Sequence, residues 1–180
     1  MSSDTGSRLK ALGVPKYIHS KTLVAEKLQE VRDWIISEGF MDEAGGMIGL
    51  RFCLANQSKG SMTALRTAFL VTAKEFFLYK VPIKVVDLMD IAEAVDNYAV
   101  KDLFSSGKTY LFINGFYEPG AECPLTPKQA HVIRSILFKH VSRGGGLCTM
   151  TSGDPNNAFN WWTDDFVRFL AEHTKTIKIN

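Results

Sequence analysis

The chain has 180 residues, 46% hydrophobic and 22% charged, with a formal net charge of +2. That is the balance of a soluble globular protein with room for a proper core, too near neutrality to select nucleic acid or an acidic membrane as a partner. The polar start (Met1 to Ser7) has no signal-peptide core, no run approaches the ~20 apolar residues that span a bilayer, and Cys53, Cys123 and Cys148 form no Cys-x-x-Cys pair, which suits a reducing, cytoplasmic setting.

Residues 1–20 read as a flexible N-terminal arm with a turn at Gly13-Val14-Pro15, and residues 21–180 as one α/β domain. From Thr22 the pattern is helical: Val24, Leu28, Val31 and Ile35 mark one face, and Gly39 is the expected stop. A first strand covers 47–54 and a polar loop 55–61. A helix over 62–79 turns Leu65, Phe69, Ala73 and Phe76 inward. Strand 83–86 follows, with Pro82 setting its start, then a weaker helix over 87–100 carrying Leu88, Ile91, Ala92 and Val95.

Tyr110-Leu111-Phe112-Ile113 is apolar on both faces, so it reads as a central strand covered on each side by helices. Asn114-Gly115 ends it, and 116–120 is a loop. Thr126 and Pro127 are suited to the N-cap and first turn of the next helix, with Ala130, Ile133, Ile136 and Leu137 inside and Gly144-Gly145-Gly146 closing it. Strand 147–151 comes next. A helix over 160–173 then buries Trp162, Phe166 and Phe169 or Leu170, and an edge strand over 176–179 completes the pattern. Alternating strands and helices predict a three-layer α/β sandwich, a five-stranded parallel sheet with helices on both faces.

In such sheets ligands bind at the carboxyl ends of the strands. The loop after strand one reads Asn56-Gln57-Ser58-Lys59-Gly60-Ser61-Met62. A phosphate-binding loop needs G-x-x-x-x-G-K-[ST], with glycines for backbone approach, Lys for phosphate charge and a hydroxyl for Mg²⁺. Over that spacing Ala55 replaces the first Gly, Gly60 keeps the second, Ser61 replaces Lys and Met62 replaces Ser/Thr. Taken alone, the match is weak and the stretch reads first as a polar turn between strand and helix, although Lys59 and the helix N-terminus leave weak anion binding open. The central strand ends in Asn114 and Gly115, where a phosphoryl-transfer site would need acids to hold Mg²⁺ and orient water. The frame is present and the charges are missing.

Other chemistry is thinner. His19, His131, His140 and His173 have no partner at metal-ligand spacing, and no G-x-S-x-G elbow exists. Trp162 reads as core, whereas Phe159 and Trp161 read as a partner contact. Lys101, Lys108, Arg134, Lys139 and Arg143 are either solvated helix charges or a face for single-stranded DNA.

Taken together, these pieces resemble a known family. Leu12-Gly13-Val14-Pro15-Lys16-Tyr17, the loop at 55–62, the strand ending in Asn114-Gly115, Thr151-Ser152-Gly153 and the helix carrying Arg168 follow one another in a familiar order and spacing. It resembles the AAA+ domain of bacterial and phage replicative-helicase loaders and of the related transposition helper ATPases. The resemblance implies a P-loop/AAA+ sheet of order 5-1-4-3-2, with strands beginning near Met47, Ile83, Tyr110, Leu147 and Thr176 and no C-terminal helical lid. It also implies a Walker A place at Asn56 to Met62, a Walker B place at Asn114 and Gly115, a sensor at Ser152 and an arginine finger at Arg168. Function follows as helicase-loader-like work in DNA replication. The departures at Ser61, Met62, Asn114 and Gly115 argue that ATPase activity and its Mg-ATP cofactor are lost, which leaves contacts with a replicative helicase or with copies of the chain. Two alternatives stand beside this: a divergent ATPase using Lys59 and Glu118, and an assembly protein reusing the fold as an oligomer subunit.

Overall fold

Five strands make the sheet: β1 Gly49–Leu54, β2 Ile83–Asp87, β3 Tyr110–Tyr117, β4 Gly146–Thr151 and β5 Thr174–Ile179. The computed structural model describes residues 3–21, 26–56, 61–100 and 108–179. All neighbouring strands are parallel, in the order β2-β3-β4-β1-β5, which is the expected 5-1-4-3-2 taken from the other edge. Every residue of β1 and β4 is buried, as two covered faces require.

Among the described residues, six α-helices cover the sheet: α1 Ser3–Ala11, α2 Glu26–Ile36, α3 Met62–Leu78, α4 Leu88–Asp96, α5 Pro127–Ser142 and α6 Asp164–His173. Helices α1 to α3 close one face, where Leu9, Ile35, Leu65, Phe69 and Phe76 pack on Leu50, Phe52 and Phe112. Helices α4 to α6 close the other, with Ile91, Ile133, Leu137 and Phe166 against Leu111, Ile113 and Leu147. Thr126 caps α5 through a full capping box with Gln129, and Pro127 follows it as anticipated.

Several elements differ from the sequence expectation. The segment read as a flexible arm holds α1 and a 3-10 turn, Lys16–Ile18, with Leu9, Val14 and Ile18 fully buried. Leu12 O accepts from Val85 N–H at 3.0 Å, which ties the segment to the edge strand β2. β3 runs on through Asn114 and Gly115. A register shift there, with Gly115 at φ 70°, lets Phe116 and Tyr117 return to the sheet and be buried. The expected helix over 160–173 splits into a 3-10 stretch, Pro155–Asn160, and α6, and Trp162 lies in the turn between them. Of the α2 face, Val31 and Ile35 are buried; Val24 and the side chain of Leu28 lie outside the described residues.

Helices α1 to α5 all end in one device. A left-handed residue after the last turn sends two amides back to the helix: Gly13 and Val14 to Lys10 and Leu9, Glu38 and Gly39 to Ile35 and Trp34, Lys80 and Val81 to Phe77 and Phe76, Tyr98 and Ala99 to Val95 and Ala94, and Gly144 and Gly145 to Val141 and His140. This Schellman closure satisfies carbonyls that the helix leaves open. Gly39, expected as the stop, does not carry the positive φ, which falls on Glu38 at 56°. Glycine is needed at 39 because a Cβ there would overlap the Trp34 ring.

Candidate functional site

The carboxyl ends of β1, β3 and β4 bring together the first, third and fourth loops. Ser61 is the N-cap of α3, its hydroxyl accepting from Ala64 N–H at 3.3 Å. Met62 opens the helix and is 47% exposed, and Asn56 is exposed beyond the end of β1. Gln57, Ser58, Lys59 and Gly60 lie outside the described residues.

At the end of β3, Asn114 is half-buried and stands in register with Asp87 of β2. Its Nδ2 donates to Asp87 Oδ1. A carboxylate therefore stands one strand away from the end of β3, held by the Asn114 amide. Asp87, Asp90, Asn114 and Arg66 line a small polar cleft of about 170 Å³. Sequence reasoning missed Asp87, Asp90 and Arg66, because only strand pairing brings them to Asn114.

Ser152 is half-buried in the bend after β4, where Thr151 Oγ1 donates to Gly153 O at 2.8 Å. Beneath that bend lies Arg51 of β1, 5% exposed. Its Nη1 donates to Asn156 Oδ1 and its Nη2 to Thr176 Oγ1, both at 2.9 Å. Burial pulls the guanidinium pKa below its ordinary value, and the charge of Asp154 opposes that pull. Arg51 Nε and Thr149 Oγ1, on residues paired in register, find no hydrogen-bond partner among the described residues. The sequence signal was a lone Arg inside an apolar strand.

Arg168 is exposed on α6 and pairs with Asp164, one turn earlier, at 2.6 Å. Trp161 is half-buried, its Nε1 donating to Ala121 O at 3.0 Å and its ring meeting Tyr117 edge-on at 5.7 Å. Trp162 is core, stacked on Phe116 at 4.7 Å. The side chain of Phe159 lies outside the described residues. Glu118 is exposed in the turn after β3. Lys108 reaches Gly45 O and packs by Gly144, near the α5 end that carries Lys139 and Arg143. Arg134 instead donates to Thr163 Oγ1 at 2.6 Å, and Lys101 is not among the described residues.

No family model and no curated protein matches the chain. Among solved structures, AMPPCP-bound DnaA from Aquifex aeolicus is similar, with a TM-score of 0.59 and 10% identity over 90% of this chain. The fold is of the AAA+ type. The chain covers 51% of that DnaA chain, and at this identity the likeness is one of fold. Among the described residues at these strand ends, Met62 offers no side-chain oxygen, Gly115 has no side chain, and the neutral amide of Asn114 is bonded to Asp87. Among the described residues no three His, Cys, Asp or Glu side chains cluster as metal ligands, and no helix is long and apolar enough to cross a membrane.

Proposed function

We propose that this is a helicase-loader-like AAA+ domain, cytoplasmic, that works in DNA replication through protein contacts and has lost ATP hydrolysis. The observation that supports it is the end of β3, where the Asn114 amide is bonded to Asp87; on the AAA+ reading a metal-holding acid would stand there. Phosphoryl transfer is catalysed mostly by charge placed around the phosphates, so the loss of the loop Lys, the hydroxyl ligand and both acids leaves little to act. The fold likeness to DnaA supports the replication setting. The partner is a replicative helicase or another copy of the chain, with the surface around Arg168, Trp161 and Phe159 as the contact and single-stranded DNA as a further ligand.

The test is steady-state phosphate release with Mg-ATP, alone and with helicase. No release above background is expected. Turnover that disappears in Lys59→Ala or Glu118→Gln would overturn the reading in favour of a divergent ATPase. Sedimentation with helicase titrated in should show binding weakened by Arg168→Ala or Trp161→Ala. Association unchanged in both variants removes that edge as the contact.

A further inference from the structure

Beside the edge strand β2 lies an open groove of about 810 Å³, built from three pieces of chain. Thr5, Arg8 and Leu12 fall at helical spacing on α1 and its end, and they form one wall. Phe77, Leu78 and Lys80, at the end of α3, form the other, and the chain entering β2 forms the floor. Leu12, Leu78 and Pro82 present apolar surface, with Leu78 43% exposed. Arg8, Lys80 and Lys84 supply the charge, and no described lining residue is acidic. Asp4, one turn before Arg8 on α1, does not line the groove. The Arg8 guanidinium lies over the Phe77 ring, 5.6 Å from its centroid. Both walls are held before any ligand arrives. Val85 N–H donates to Leu12 O at 3.0 Å and pins the end of α1 to β2. Lys80, left-handed at φ 63°, closes α3 by donating to Phe77 O at 3.0 Å, while Val81 N–H donates to Phe76 O at 2.9 Å. A preformed groove spares a partner the cost of ordering it.

We propose that this groove is a docking site for an acidic amphipathic helix of a partner protein. Its rim carries one sign of charge, so the matching segment carries Asp and Glu beside an apolar face. An extended segment added to the sheet edge is shut out, because Val85 N–H is already used by Leu12 O and Gly13 stands against Val85 O. A helix satisfies its own backbone and lays an apolar stripe into such a groove. Nucleic acid suits the site less. Single strands need ring faces to stack on, whereas here the floor is aliphatic and Arg8 covers the lining ring, Phe77. The groove stands apart from the loader contact, since Arg168 lies on α6 beside β5, at the far side of the sheet from β2.

The probe is a designed helical peptide of about 14 residues, leucines on one face and glutamates flanking them, read by fluorescence anisotropy. Saturable binding that weakens with salt is expected. A peptide of the same composition with its leucines scattered, and one with lysine for glutamate, should each bind about tenfold more weakly. Lys80→Glu should weaken the glutamate peptide about tenfold, and Leu78→Gln about fivefold. Both residues are exposed, so melting followed by circular dichroism should match the parent. Amide shifts of the isotope-labelled chain on adding peptide should fall on residues 5–12 and 77–84. No saturation by about 1 mM peptide overturns the proposal, as does equal binding of the scattered peptide, indifference to both substitutions, or shifts confined to other residues. Displacement of the peptide by an equal concentration of single-stranded oligonucleotide or anionic vesicles overturns it too, and gives the groove to that ligand. Arg168→Ala should leave peptide binding unchanged. Helicase binding by a chain that ignores the peptide removes this groove and leaves the loader reading standing; peptide binding without helicase binding does the reverse.

Discussion

Trp162 and Trp161 are adjacent in sequence but should differ several-fold in what they hold together. The Trp162 indole is buried, stacked on Phe116 at 14° between planes, close to Phe166 at 5.4 Å, and donates Nε1–H to Phe116 O at 3.0 Å. Trp162→Ala removes the ring and leaves a cavity, a loss of about 3–5 kcal/mol. Trp162→Phe keeps most of the apolar volume but strands the Phe116 carbonyl, which costs about 1–2 kcal/mol. Trp161→Ala gives up one hydrogen bond to an exposed loop and one edge contact, together about 1 kcal/mol. Against a total of roughly 5–15 kcal/mol for a domain, the first change takes a large share of stability. Urea titration followed by far-UV circular dichroism reads all three on one scale. The ordering Trp162→Ala, then Trp162→Phe, then Trp161→Ala is expected, with similar slopes. Equal losses for the two alanine variants would refute the assignment of Trp162 to the core and Trp161 to the surface.

Two further outcomes follow from the local geometry. Glu38 is exposed and left-handed at φ 56°, so Glu38→Gly should relieve strain and add about 0.5–1 kcal/mol, raising the melting temperature by a few degrees; a lower melting point would count against the cap. Burial lowers the His140 pKa from its ordinary 6.5, partly opposed by hydrogen bonds to Gly146 O and Thr109 O. The unfolded chain then binds the proton more readily, so this stability is complete above pH 6.5 and is lost as pH falls through the lowered folded value. A stability profile from neutral to mildly acid pH should show that slope, and His140→Gln should flatten it; an identical slope in the variant would show that other groups carry it.

The sheet was legible because β1, β3 and β4 are short runs dominated by apolar residues next to turn signals, and the α5 start because Thr126, Pro127 and Gln129 stand together. α1 was not, since it is a polar helix anchored through Leu9 with no repeating apolar face. The extension of β3 was hidden because Asn-Gly normally ends a strand. Here the bulge absorbs the glycine's positive φ, and the apolar Phe116 and Tyr117 resume the ladder. At the candidate site, spacing alone set the expectation of missing charges at Ser61, Met62, Asn114 and Gly115. The Asp87 partner of Asn114 was not, because it is set by which strands lie side by side. Arg51 shows the same limit: one Arg within Gly49–Leu54 gives no hint that Asn156 and Thr176 converge on it.

The repeated closure of α1 to α5 has a consequence for how this chain can change. The returns from α3 into β2 and from α5 into β4 occupy residues 79–82 and 143–145, and the closing turn takes up most of each. An inserted residue there has no slack to occupy and would displace the strand that follows, shifting every side chain on it to the opposite face. The connection 118–126 at the opposite rim holds no such closing turn. Length variation among descendants of this sequence should therefore collect at the carboxyl rim. The amino rim would persist as a fixed template, with Lys80 held at its margin in a backbone conformation that point substitutions can retune and insertions cannot.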